Sequence, residues 1–191
     1  MRWLPAVGAL ALVLAAATAQ ADGAWLALTE RQREQALRVG QRSVTVESFG
    51  EEWRVVNGAG ESVTVITPFH RLVWAARHAA FKNEAVQPKE QDRLIEELKE
   101  RLRFEVNLNG PREDFARYFR PRLVLGARQI EPSLVQNERT GIRQENGTYL
   151  ARCVYWFPSK DITGTSRLTL VVRDADGRDV TNFAIDLGTM R

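Results

Sequence analysis

Thr148-Tyr-Leu-Ala-Arg-Cys-Val-Tyr-Trp-Phe157, Ser166-Arg-Leu-Thr-Leu-Val-Val-Arg173 and Val180-Thr-Asn-Phe-Ala-Ile-Asp-Leu187 decide the fold. In the first, Tyr149, Ala151, Cys153, Tyr155 and Phe157 alternate along one buriable face, and Arg152 interrupts the other. In the second, Leu168, Leu170 and Val172 oppose Arg167, Thr169 and Arg173. In the third, Phe183, Ile185 and Leu187 oppose Asn182 and Asp186. A period of two with one apolar side predicts antiparallel strands with one dry face.

Working towards the amino terminus, Arg122 to Ile130 reads as a further strand, with a one-residue bulge at Gly126 to reconcile Leu123 and Leu125 with Ile130. Pro111 to Phe119 reads as one or two helical turns burying Phe115, Tyr118 and Phe119. Leu102 to Leu108 alternates as a strand, and Glu131 to Gly147 reads as a long polar loop. Ser43–Glu47, Trp53–Val56 and Ser62–Ile66 read as three short strands. The last two flank Asn57-Gly-Ala-Gly60, whose glycines suit a hairpin loop. As a phosphate-binding loop that stretch fails: Val63 stands where a third glycine is needed, and a strand follows instead of a helix.

Thr67-Pro68 switches the period to 3.6. Thr67 is a good N-cap and Pro68 fits the first helical position. Phe69, Leu72, Val73, Ala76, Ala79 and Ala80 then form a stripe, predicting a helix to about Lys82. A second helix starts near Pro88 with Leu94, Ile95, Leu98 and Leu102 on its stripe. The connection Asn83–Gln87 is short enough for an αα-hairpin spanning residues 67–102. Thr29-Glu-Arg-Gln32 has the form of a capping box opening a helix over Glu30–Val39, with Gly40 placed as its left-handed end. The expected fold class is mainly β with an α-helical hairpin insertion (α+β): an antiparallel β-sandwich of about eight strands, immunoglobulin-like in outline.

The first 21 residues read as a secretory signal peptide, with Arg2, an apolar stretch from Trp3 to Ala17, and a small-x-small site at Ala19-Gln-Ala21. About 15 apolar residues fall short of the roughly 20 that span a bilayer. A mature chain from Asp22 to Arg191 is expected as a single domain, periplasmic or secreted, with no transmembrane segment after cleavage. One cysteine, Cys153, excludes an internal disulfide framework in an oxidising compartment, and its place on a dry face predicts an inert buried thiol. The formal charge of +3 becomes +2 without Arg2, so composition points to no nucleic-acid partner. Four lysines against many arginines is the bias that a GC-rich bacterial genome produces unaided.

The constellations that carry chemistry are sparse. His70 and His78 stand eight positions apart on one helix, roughly 80° around and about 12 Å along its axis, too far to share a metal. Both are expected to be partly exposed. Asp174-Ala-Asp-Gly-Arg-Asp179 groups three carboxylates around a glycine. In EF-hand register its first and twelfth positions fall on Val172 and Phe183, so Asp176-Gly177 reads as a hairpin turn and no metal site is expected. No cofactor motif is present. Arg112, Arg117, Arg120 and Arg122, with Arg128, interleave with Phe115, Tyr118 and Phe119, a pattern suited to an anionic surface component. On the first hairpin helix, Trp74 lies off the apolar stripe between Arg71 and Arg77, which suits contact with a protein partner. The reading that follows is a non-enzymatic envelope protein, a binding or scaffold module. A hydrolase assembled from distant carboxylates or His70 is the alternative.

Overall fold

The computed structural model describes residues 26–190; the leader and the new terminus expected at Asp22 lie outside the described residues. The elements in chain order are α1 (Glu30–Arg42), β1 (Arg54–Val56), β2 (Ser62–Ile66), α2 (Pro68–Phe81), α3 (Pro88–Glu97), β3 (Arg101–Gly110), β4 (Arg120–Leu125) and β5 (Arg128–Ile130). They continue with β6 (Leu134–Gln136), β7 (Ile142–Arg143), β8 (Tyr149–Pro158), β9 (Arg167–Arg173) and β10 (Asp179–Asp186).

Two antiparallel sheets form. One runs β1-β2-β3-β8-β6, with β7 also paired to β8, and the other runs β10-β9-β4-β5. The three carboxy-terminal strands are therefore divided between the sheets, β8 on one and β9 and β10 on the other. Alternation holds in each: Ala151, Cys153, Tyr155 and Phe157 of β8 and Leu168, Leu170 and Val172 of β9 are buried. They share one core with Phe104 and Val106 of β3, Leu123 of β4, and Phe183 and Ile185 of β10. Removing such a side chain from water contributes roughly 1.5–3 kcal/mol, so this filled interior holds the fold without a cross-link.

The fold is the mainly β, helix-bearing sandwich expected from the alternation, and several local readings are corrected by packing. Gly40 does not end α1, which continues to Arg42 with Ser43 as its cap. A Cβ at Gly40 would stand 2.3 Å from the Val73 carbonyl oxygen and 2.6 Å from the Ala76 Cβ, so the glycine marks where α1 crosses α2. α1 is thus the principal partner of α2, ahead of α3. Asp92 of α3 pairs with Arg33 of α1 at 2.6 Å, a charge link that ties α3 to α1.

Ser43–Glu47 forms turns, not a strand. Arg77 explains it: its Nε donates to the Ser43 carbonyl at 3.1 Å and its Nη2 to the Val44 and Val46 carbonyls at 3.4 Å, taking acceptors a strand would need. Pro111–Phe119 is a run of turns without a helix; Ala116 and Phe119 are buried, and Tyr118 is 64% exposed. At Gly126 the chain makes a two-residue hairpin and not a bulge, with φ of 58° and Leu125 opposite Arg128. Reversal of direction puts Leu123 opposite Ile130, which resolves their mismatched parity. The segment read as a loop from Glu131 to Gly147 contributes β6 and β7. The Tyr155 hydroxyl anchors it, donating to Asn137 Oδ1 at 3.0 Å while Asn137 Nδ2 donates to the Phe119 carbonyl at 2.8 Å. Among the described residues no helix is long and apolar enough to cross a membrane.

Candidate functional site

α2 begins as its sequence dictates, with the His70 amide donating to Thr67 Oγ1 at 3.2 Å and Pro68 in the first turn. Of its buried stripe, Leu72 and Val73 join Ala36 and Trp53 in a small satellite core, and Ala76 is buried against Gly40. Trp74 and Phe81, seven positions apart, are within about 20° of each other on the helix. They are 46% and 74% exposed, with His78 exposed between them. Trp74 does not hang free. Its ring meets Phe49 edge-on at 5.3 Å and 71°, and His70 at 6.5 Å and 61°.

Behind it, the His70 ring stacks on Trp53 at 4.2 Å and 19°. The expectation of a partly exposed His70 is overturned, because at 1% exposure it is sealed beneath this aromatic layer. Burial, reinforced by the neighbouring Arg71 charge and opposed by a bond to the Val65 carbonyl, holds its pKa at about 4. Nδ1 lies 3.1 Å from that carbonyl oxygen, which fixes the Nδ1–H tautomer and leaves Nε2 buried without a partner. Such a ring is a wall for Trp74, out of reach of a substrate.

The helical wheel sets Arg71 and Arg77 roughly 60° on either side of Trp74. Their duties differ. Arg77 holds the Ser43–Val46 backbone and lies 4.4 Å over the Phe49 ring, so it braces the aromatic layer. Arg71 is half-buried with its Nε unpartnered.

Of the arginines proposed for anions, Arg120 and Arg122 share the outer face of β4, where Arg120 sits opposite Arg173. Arg122 is paired with Glu131, and Arg117 lies 5.4 Å over the Tyr118 ring. Arg112 and Arg117 belong to the exposed turn that precedes β4. The four therefore lie on a turn and a strand instead of lining one pocket.

The Asp174–Asp179 segment is the β9–β10 hairpin. Asp174 accepts from the Asp176 and Arg178 amides at 2.9 Å, and the Arg178 guanidinium contacts both Asp174 and Asp176. Bonding to the Arg178 amide and side chain holds the Asp174 carboxyl below the usual range. Among the described residues no three His, Cys, Asp or Glu side chains converge on a metal position. Cys153 is buried, and that burial pushes its thiol pKa up.

One feature escaped the sequence reading altogether. A groove of about 640 Å³ lies between the segment leading into α1, the end of α3 and the end of β8. Three distant stretches meet there, and no periodicity or motif marks the meeting.

No family model matches the chain, and no curated protein matches it either. Among solved structures, a protein of unknown function from Burkholderia pseudomallei K96243 is similar at 9% identity and a TM-score of 0.42, over 86% of this chain and 96% of that one.

Proposed function

We propose that the chain is a non-enzymatic binding module of the bacterial envelope, contacting a protein partner through the outer face of α2. The observation that carries it is the braced exposure of Trp74. Interface energy concentrates in large aromatic side chains, and an anchor already held in one orientation avoids the ordering cost of binding. Phe49, His70 and Arg77 supply that bracing, and Phe81 extends the same apolar face. An exported location is supported by the leader-like residues 1–21, and a soluble product by a chain whose described helices are all too short or too polar to span a bilayer. Arg112, Arg117, Arg120 and Arg122 offer a second contact, with an anionic surface component, that charge alone supports.

The test is affinity capture from native envelope extract with wild-type protein and with Trp74→Ala. A partner retained by wild type and lost by the variant, at matched melting temperature, supports the reading. Identical recoveries from both proteins refute it.

A further inference from the structure

We infer that the outer face of the first sheet, across β1, β2, β3 and β8, binds an acidic polysaccharide, a hydroxyl-rich chain carrying carboxylates. The register sets its side chains out in rows. β3 turns Leu102, Phe104, Val106 and Leu108 into the core, so Arg101, Arg103, Glu105, Asn107 and Asn109 face the other way. Arg152, opposite Asn107, and Trp156, opposite Arg103, share that face from β8. From the other side come Ser62, opposite Asn107, and Arg54, opposite Thr64. A groove of about 440 Å³ crosses these rows, lined chiefly by Arg54, Ser62, Glu105, Asn107, Asn109 and Arg152.

The charges on this face do not cancel. Its rows carry the guanidiniums of Arg54, Arg101, Arg103 and Arg152 against the single carboxylate of Glu105. Glu105 is paired with Arg103 at 2.5 Å, outside the groove lining. Arg101 and Arg103 lie 4.9 and 5.6 Å over the Trp156 ring, which holds both cations in place. Arg54 and Arg152, both exposed, have no ion-pair partner among the described residues. Glu61, next to Ser62, does not offset them at the groove. It is buried towards the second sheet, accepting from the Asn109 amide and from Asn57, whose Nδ2 also donates to Thr181 of β10.

That surplus selects an anion, and the spacing selects a long one. Arg54 and Arg152 stand three strand spacings apart, about 14 Å, which suits successive charges along a polymer. Between them the floor is neutral and polar. Asn107 Nδ2 donates to Ser62 Oγ at 3.3 Å, leaving Asn107 Oδ1 and the exposed Asn109 side chain to pair with hydroxyls, which both donate and accept. Arginine forks supply the bidentate partners for carboxylates. A single-stranded nucleic acid fits less well, because it needs open aromatic faces for its bases, and Trp156 is already covered by two guanidiniums.

Titration of the full protein with oligogalacturonate tests this, with neutral dextran, polyglutamate and single-stranded DNA as comparators. Saturable binding of oligogalacturonate is expected, weakening as sodium chloride is raised. Arg54→Glu and Arg152→Glu, at exposed positions and unchanged melting temperature, should each weaken it roughly tenfold or more. Asn109→Ala should weaken oligogalacturonate and leave the residual affinity for polyglutamate unchanged. Trp74→Ala and Arg120→Glu should leave oligogalacturonate binding intact, which separates this face from the α2 face and from the arginines of β4. Absence of saturable binding, or affinity indifferent to both charge reversals, would overturn the inference. So would equal or tighter binding of dextran, polyglutamate or DNA, or an equal loss in Arg120→Glu.

Discussion

Acidification from pH 7 to pH 4 is expected to cost the protein roughly 3 kcal/mol of stability through His70 alone. The imidazole is neutral in the folded state down to about pH 4, because protonation would place a charge in a dry layer beside Trp53 and Arg71. It would also put a proton on Nε2, which has no acceptor. In the unfolded chain the same ring titrates near pH 6.5. Above pH 6.5 it is neutral in both states and its full contribution is present. Between 6.5 and 4 only the unfolded state binds the proton, so stability falls by about 1.4 kcal/mol per pH unit. Below pH 4 both states are protonated and the loss is complete. His70→Phe keeps a ring against Trp53 and removes the titration, so it provides the reference for all other acid-sensitive groups. Urea unfolding of both proteins at pH 7 and pH 4 is the assay, and wild type should lose about 3 kcal/mol more than the variant. Losses that agree within about 1 kcal/mol would refute the account of His70.

Gly40→Ala gains at most about 1 kcal/mol of helix propensity but drives a methyl into the Val73 carbonyl; a net destabilisation of about 1–3 kcal/mol is expected from thermal unfolding. Glu61 is buried, and its carboxylate accepts from the Asn109 amide at 3.1 Å and from Asn57 Nδ2 at 3.0 Å. Glu61→Ala strips both donors and should cost about 2–4 kcal/mol in denaturant titrations. Cys153 should resist a thiol reagent under native conditions and react fully in denaturant, because burial raises its pKa and hides its sulfur. Trp74→Ala should lower stability by no more than about 1.5 kcal/mol, since the ring is half in solvent and forfeits chiefly its contact with Phe49.

What sequence reading could reach depended on how local the cause was. The Thr29 capping box forms as read, with the Gln32 amide donating to Thr29 Oγ1 at 3.3 Å and the Thr29 amide to Gln32 Oε1 at 2.8 Å, because both partners lie within one turn. The alternation of β8, β9 and β10 was equally legible, since each strand faces one continuous core. Gly40 was misread because a left-handed cap and a helix crossing both require glycine, and only the position of Val73 distinguishes them. Ser43–Glu47 was misread because Arg77, more than thirty residues away, claims its carbonyls. His70 was placed correctly on its helix, but its burial depends on Trp53 from another segment. Trp74 was recognisable as lying off the stripe, although nothing local announced that Phe49 would brace it. The groove around Ser159 was illegible for the strongest form of the same reason: its walls come from three separated parts of the chain.

The central claim is that the Trp74 face of α2 engages a protein. The most direct measurement places a photo-crosslinking residue at position 78, exposed between Trp74 and Phe81, in the source cells, with a second protein carrying it at Val124 on the outer face of β4. One discrete adduct from position 78, lost when Trp74→Ala is added and absent from position 124, is the predicted result. No adduct from position 78, or the same adducts from both positions, would contradict it.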